Sequence, residues 1–451
     1  MAGKTTKLLD VIKTDASGFE ARFEALCDRD DRASLGEKDV RKALERVREG
    51  GDEELLALVR KADRSKLEDL EVGRDEWDEA CEQVDAGDRA ALGKAAMRVR
   101  EFHRKRIPSS WEMREEGGAF MGHKVRPLER VGVYAWGGGL RAASTIVMNT
   151  VPASVVEVPE IVLAVAAGRD GRVAPELLTA ARVAGIHRVF KMGGAHAIAA
   201  LAWGTETVPA VDKIVGQGEP AVSAAKRAVA HRVAVDAEGG PTELCIVADR
   251  SATPAWIAAD ILAQAEQSED VRVVVITHTK ALVTRIQDQL VKQLKGFDRG
   301  KVAKQALVTR GAVLVTRNLV ESITLANRYA PEHLVLAIED PEGAVKTVMS
   351  AGAVFLGHYT PVAVGDFLAG PNSVLPTGGM ARFSSPLGVE DFLKRTSFMK
   401  FEPPKLRELG AEVMRLSELE GLDGNSRSID LRLQKIRRAR REREAAREAE
   451  I

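Results

Sequence analysis

Cysteine is scarce: the 451-residue chain holds only Cys27, Cys81 and Cys245. They form no CxxC pair and no metal-ligand spacing. That excludes a disulfide framework and marks them as reduced core residues of a cytosolic protein. Net charge is missing as well. The 66 Lys and Arg balance the 66 Asp and Glu, so charge gives no argument for a nucleic acid or an acidic partner. No uninterrupted apolar run approaches the ~20 residues that span a bilayer. Met1 to Thr14 is mixed charged and apolar, with no secretory h-region. These absences predict a soluble, cytoplasmic protein without a membrane partner.

What is present is a chain that is 45% hydrophobic, enough for sizeable cores in two or three domains. Residues 1–24 form a lead-in. From Ala33 to Ile107 the apolar spacing is helical, as in Val40, Leu44 and Val47. At Arg130 the texture changes to alternating strands and helices. Val131–Ala135 runs into Trp136-Gly137-Gly138-Gly139 and a helix start, an arrangement that presents backbone amides to phosphate, although glycine loops also serve as plain turns. Strands at 161–166, 189–192, 212–215 and 232–235 complete one set. A second set has strands at 244–248, 271–277, 312–315, 334–338 and 353–356, with helices at 253–267, 282–294 and 319–327. Two such sets predict an α/β fold with two parallel, doubly wound sheets, with sites at the carboxyl ends of the strands. The breaker-rich stretch from Gly365 to Gly379 predicts a functional loop. A smaller helical region follows Pro386. Its basic cluster, Arg437 to Arg441, is followed at once by acids and predicts a solvated helix rather than a nucleic-acid contact.

The densest chemistry is Tyr329-Ala330-Pro331-Glu332-His333-Leu334. A carboxylate and an imidazole sit side by side between a helical stretch and an apolar strand. In a turn both can point into one cleft, and together they can handle two separate proton transfers. The plain alternative is a helix end with two solvated charges.

Taken together, five stretches resemble the histidinol dehydrogenase family. They are Arg130–Tyr134, Gly193–Leu201, Val211–Gly216, Ala263–Glu266 and Tyr329–Leu334, with Leu375-Pro376-Thr377 and Glu420-Gly421-Leu422 in support. The likeness runs from about residue 25 to about 432. It implies two incomplete Rossmann-like doubly wound domains in three αβα layers, plus small N- and C-terminal helical extensions. The expected division is 1–24 as N-terminal extension, 25–133 and 245–387 as the domain carrying the catalytic pair, 134–244 as the NAD-binding domain, and 388–451 as C-terminal extension. It further implies an intertwined homodimer that uses NAD twice, taking L-histidinol through L-histidinaldehyde to L-histidine, with a zinc ion holding the substrate. His333 is then the base for the first oxidation, and Glu332 activates water for the second.

The remaining positions carry over with changes. The NAD-contacting Tyr is Tyr134, its Gln is His196 and its Asn is Glu219. The substrate-contacting Ser is Thr242, a loop His is Ser373, and the acid for the substrate amine is Glu420. The zinc positions are Gln264, Gln267, Asp366 and Asn425, so both imidazoles of the pattern have become carboxamides. No histidine lies beyond His358. One carboxylate and three amides hold zinc poorly. They suit a harder divalent cation, or no metal and a hydrogen-bond network instead. Two readings stand beside a histidinol oxidiser: a zinc-poor paralogue acting on another small hydroxy compound, and a silent homologue with an interaction role.

Overall fold

The structure is a computed structural model that describes residues 7–29, 37–136, 142–236 and 239–449. The first glycine loop, Gly137-Gly138-Gly139, lies outside the described residues. Two compact units form: residues 1–107 with 127–392, and residues 108–126 with 393–451.

The chain opens with β1 (Asp10–Lys13) and α1 (Phe19–Cys27), followed by α2 (Glu37–Asp63), α3 (Arg74–Gln83) and α4 (Ala86–Arg104). A hairpin of β2 (Trp111–Glu115) and β3 (Ala119–Pro127) belongs to the second unit. Strands and helices then alternate: β4 (Arg130–Ala135), α5 (Ala142–Val155), β5 (Glu160–Val165), α6 (Pro175–Ala184), β6 (Arg188–Lys191), α7 (Gly194–Trp203), β7 (Lys213–Val215), α8 (Pro220–Val229) and β8 (Ala234–Val235). All pairings are parallel, in the order β6-β5-β4-β7-β8. Counted from β4, this is the 3-2-1-4-5 order of a Rossmann sheet lacking its sixth strand. The order reverses between β4 and β7.

The alternation repeats with β9 (Glu243–Ala248), α9 (Pro254–Ala265), β10 (Arg272–Thr277), α10 (Lys280–Gln293), α11 (Gly300–Arg310), β11 (Gly311–Val315), α12 (Leu319–Tyr329), β12 (His333–Ala337), α13 (Pro341–Val345), β13 (Ala353–Leu356) and α14 (Val362–Phe367). The sheet order is β1-β11-β10-β9-β12-β13, again parallel. The same 3-2-1-4-5 order recurs, with β1 added at the edge. Helices on both faces bury every residue of β9, β11 and β12. Continuous Val, Leu and Ile runs are what two covered faces require. The two parallel sheets expected from the sequence are therefore present. α2 packs on α7 and α8, α3 on α6, and α4 on α5 and α6. Helices 37–104, expected in one domain with residues 245–387, thus pack against helices of the other sheet.

In the second unit, β14 (Leu393–Phe401) joins β3, and α15 (Pro403–Leu419) packs on α16 (Asp423–Ala449). The region after residue 387, expected to be helical, thus includes a nine-residue strand. β14 is mostly exposed and has no apolar alternation to announce it. Its pairing with β3, and Phe398 set edge-on to Phe120 at 5.9 Å, hold it. Arg438–Glu442 and Arg440–Glu444 ion pairs, one helical turn apart, keep the basic stretch of α16 solvated. Among the described residues no helix is long and apolar enough to cross a membrane.

Candidate functional site

Helix α12 ends because Ala330 turns left-handed (φ 49°) and Pro331 follows. A proline disfavours helical geometry at the residue before it and has no N–H to continue the ladder. The strained turn places Glu332 and His333 at the amino end of β12. His333 lies in register with Leu244 of β9 and Ala353 of β13, so Glu332 stands opposite Glu243. Gly352 is needed alongside, because a Cβ there would lie 2.6 Å from the Glu332 carbonyl oxygen.

Both side chains of the pair are buried, His333 at 2% and Glu332 at 6% exposure. The Glu243 backbone N–H donates to Glu332 Oε2 at 3.0 Å. His333 Nδ1 donates to the Glu243 carbonyl at 3.2 Å. A carbonyl can only accept, so Nδ1 carries a hydrogen, and the neutral form of the imidazole presents its lone pair at Nε2. Nε2 points towards Asp366, 3.9 Å from Oδ1. One residue, Glu243, thereby orients both groups through its backbone. Its own side chain is held by Arg29 (2.6 Å) and by the Gly378 N–H (3.0 Å). Burial pushes the Glu243 carboxyl above the usual range against the pull of Arg29. The Arg29 guanidinium also donates to the Tyr329 carbonyl and lies over its ring.

Around this pair the structure gathers Thr242, Gln264, Gln267 and Asp366. Gln264 is on the last turn of α9, and α14 lies against α9 to bring in Asp366. Gln267 sits in the turn just past α9, its N–H bonded to the Gln264 carbonyl. Thr242 Oγ1 donates to Gln267 Oε1 (3.0 Å), Gln267 Nε2 to Gln264 Oε1 (2.9 Å), and Gln264 Nε2 to Asp366 Oδ2 (3.4 Å). All these residues lie at the amino edge of the six-stranded sheet β1-β11-β10-β9-β12-β13, not at the expected carboxyl edge. The physical reason is local. A pair that follows its helix and precedes its strand can only sit where the strand begins, and α9 and α14, antiparallel to the strands, end on that side.

The carboxyl edge of this sheet instead carries His358, whose Nε2 meets Ser251 Oγ at 3.1 Å. It supplies no imidazole to the cluster. Among the described residues no group of three or more His, Cys, Asp or Glu is set to hold a metal ion. The amide oxygens of Gln264 and Gln267 already accept hydrogen bonds from neighbours. This donor set does not fit zinc, which favours imidazole and thiolate.

At the five-stranded sheet β6-β5-β4-β7-β8 the residues expected to contact NAD do meet at the carboxyl edge, where the strand order reverses. Tyr134, near the end of β4, accepts from the Gly194 N–H at the start of α7 (3.0 Å) and donates to Glu219 Oε2 at the start of α8 (3.1 Å). His196 lies in the first turn of α7, beside Gly194. Burial alone pushes its imidazole down to about 4. Gly216 has φ +112°, and a Cβ there would lie 2.0 Å from the Tyr134 carbonyl oxygen. Two helix N-termini converge beside a loop that lets backbone approach closely, which fits a dinucleotide. The connection from β8 to β9, Asp236–Thr242, spans at most roughly 25 Å. It joins this edge to the amino edge of the six-stranded sheet.

Glu420 and Asn425 belong to the second unit, Glu420 capping α15 and Asn425 in the first turn of α16, both exposed. Three residues escaped the sequence reading. Glu243 and Arg29 were missed, though an acid opening an apolar strand is a buried charge that needs a partner. So was Asp260, four residues before Gln264 and therefore on the same helical face. Burial raises the Asp260 carboxyl to about 6.

Comparisons with known proteins agree on the fold. The family model for histidinol dehydrogenase matches residues 28–433. The histidinol dehydrogenases of Geobacter metallireducens and Geobacter sulfurreducens are 43% and 42% identical to this chain, each over 95% of it and over 98% and 100% of their own lengths. The crystal structure of the Elizabethkingia anophelis histidinol dehydrogenase superposes with a TM-score of 0.91 at 30% identity, covering 96% of this chain and 99% of that one.

Proposed function

The chain belongs to the histidinol dehydrogenase family of NAD-dependent oxidoreductases, and on that premise we propose that it oxidises L-histidinol through L-histidinaldehyde to L-histidine. The observation that carries this reading is the Glu332–His333 pair, with the imidazole tautomer set by the Glu243 carbonyl. In the first oxidation, Nε2 of His333 accepts the alcohol proton while the carbinol hydride passes to NAD. In the second, Glu332 takes a proton from water as the hydroxide adds to the aldehyde carbon, and His333 returns the proton it gained in the first oxidation to the aldehyde oxygen, giving the hydrate. The hydrate then loses its hydride to a second NAD, and its hydroxyl proton returns to the base. Two neighbouring bases suit two successive proton removals. Tyr134, His196 and Glu219 are proposed to line the cofactor site, with two helix N-termini supplying positive dipole ends for its phosphates.

No step here is routed through zinc. Gln264, Gln267 and Asp366 are read as a polar set around the substrate, and Thr242 as its hydroxyl contact. Glu420 and Asn425 enter the substrate reading through the resemblance alone. A homodimer is part of the same proposal. Exposed Val413, Leu416 and Leu419, at three-residue spacing on α15, support it as an apolar stripe awaiting a partner. A cytoplasmic, small-molecule enzyme is the setting proposed.

The test separates the half-reactions. His333→Asn should abolish NADH formation from L-histidinol by on the order of 10²–10⁴-fold and spare more of the aldehyde oxidation. Glu332→Gln should do the reverse. Equal loss in both half-reactions for both variants contradicts the division of labour.

A further inference from the structure

We propose that this enzyme anchors its substrate without a metal, by presenting Asp366 directly to a cationic nitrogen of the substrate through a one-way chain of hydrogen bonds from Thr242. The proposal deepens the histidinol reading and rests on it. Each link donates in the same direction: the Thr242 hydroxyl to Gln267, the Gln267 amide to Gln264, the Gln264 amide to Asp366. A carboxamide has an acceptor on one side and donors on the other. Two in series therefore pass the polarity along, and each bond strengthens the next. An imidazole bound to zinc could not do this, because the metal would take its acceptor nitrogen.

The end of the chain is buried and acidic. Gln264 is 1% and Asp366 4% exposed. The Asp366 and Glu332 carboxylates flank one imidazole, at 3.9 and 3.7 Å. Two ionised carboxylates outnumber the one imidazole between them, so the cluster is negative whether or not His333 carries a second proton. Buried negative charge calls for a compensating cation. A divalent metal is one solution, but it needs open donor atoms, and the two amide oxygens are used inside the chain. The ammonium of an amino alcohol is the other. A carboxylate has about four lone-pair sites, so Asp366 can keep the Gln264 bond and accept from the substrate on its other oxygen. The role of Gln267 is then positioning: it orients Gln264, which orients Asp366.

The experiment uses the full chain purified from zinc-supplemented cells. Three things are measured: metal content by mass spectrometry, the rise in melting temperature on adding L-histidinol with and without a strong zinc chelator, and steady-state kinetics of two variants. Expected are zinc far below one per chain and the same L-histidinol stabilisation in chelator as without. Gln267→Leu should raise KM for L-histidinol about fivefold, as the loss of a neutral hydrogen bond does, with kcat nearly kept. Gln267→His restores an imidazole and should take up zinc more tightly than the parent, a readout that a purely structural role for Gln267 would not move. Near-stoichiometric zinc, whose removal abolishes the L-histidinol shift and whose return restores it, overturns the proposal. So does a Gln267→Leu variant with unchanged KM. If L-histidinol is neither bound nor oxidised while NAD still stabilises the protein, the functional reading fails instead. The metal content then still decides against or for the metal-free site.

Discussion

Replacing Lys226 by methionine should cost the first unit about 3–5 kcal/mol, the usual penalty for removing one partner of a buried ion pair. The Lys226 and Asp236 side chains are 6% and 2% exposed and in direct contact. Together they clamp one glycine. Lys226 Nζ donates to the Gly216 carbonyl at 3.0 Å, and the Gly216 N–H donates to Asp236 Oδ2 at 2.7 Å. A methionine side chain would fill much the same volume but leave the Asp236 carboxylate buried with its cation gone. At roughly 2.1 cal/mol/K of unfolding entropy per residue over the first unit, the melting temperature should fall by about 4–6 °C. Because the clamp fixes the loop that carries Glu219 to Tyr134, KM for NAD should rise as well. The double variant Lys226→Met with Asp236→Asn removes both charges and should recover more than half of the lost stability, since a neutral pair has no charge to desolvate. Thermal unfolding of the parent, both single variants and the double variant closes the cycle. A single-variant cost below about 1 kcal/mol, the range of exposed pairs, or a double variant no better than the single, refutes the reasoning.

Two further predictions concern the same edge. Gly216→Ala places a Cβ against three backbone atoms of Tyr134, the nearest at 2.0 Å. Backbone cannot yield as a side chain would, so the variant should lose at least ~3 kcal/mol and NAD-induced stabilisation with it. A soluble variant with normal NAD binding would show the loop can shift. The second uses pH. The unfolded His196 titrates near 6.5 and the folded one at about 4, so the unfolded chain binds the proton more readily. Stability from this group is intact above 6.5 and is lost as pH falls through that window, by about 3 kcal/mol in all at roughly 1.4 kcal/mol per unit. His196→Gln should therefore flatten the stability profile between pH 6.5 and 4. An unchanged slope contradicts the neutral, desolvated imidazole.

Much of the fold was legible because helices cover both faces of both sheets. Strands such as Leu244–Ala248 and Ala312–Val315 then read as unbroken apolar runs. β14 was hidden because its residues are exposed and only pairing defines it. The Glu332–His333 pair was legible as adjacent titratable groups at a helix-to-strand junction. That junction also held the information that the pair sits at the amino edge, which the general rule for carboxyl edges obscured. Tyr134 and Glu219 are 85 residues apart, and nothing local links them. Glu243 orients the Glu332–His333 pair through its backbone N–H and carbonyl, groups that every residue has, so its identity could not announce that role. The amide pair Gln264 and Gln267 was visible at its spacing, but the direction of its hydrogen bonds required the positions of Thr242 and Asp366.

The most direct test of the central claim is the yield of NADH from a limiting amount of L-histidinol with the unmodified enzyme. The account predicts two NADH for each L-histidinol consumed, with L-histidine as product. One NADH with aldehyde accumulating would contradict the role of Glu332 in the second oxidation, and none would contradict the function itself.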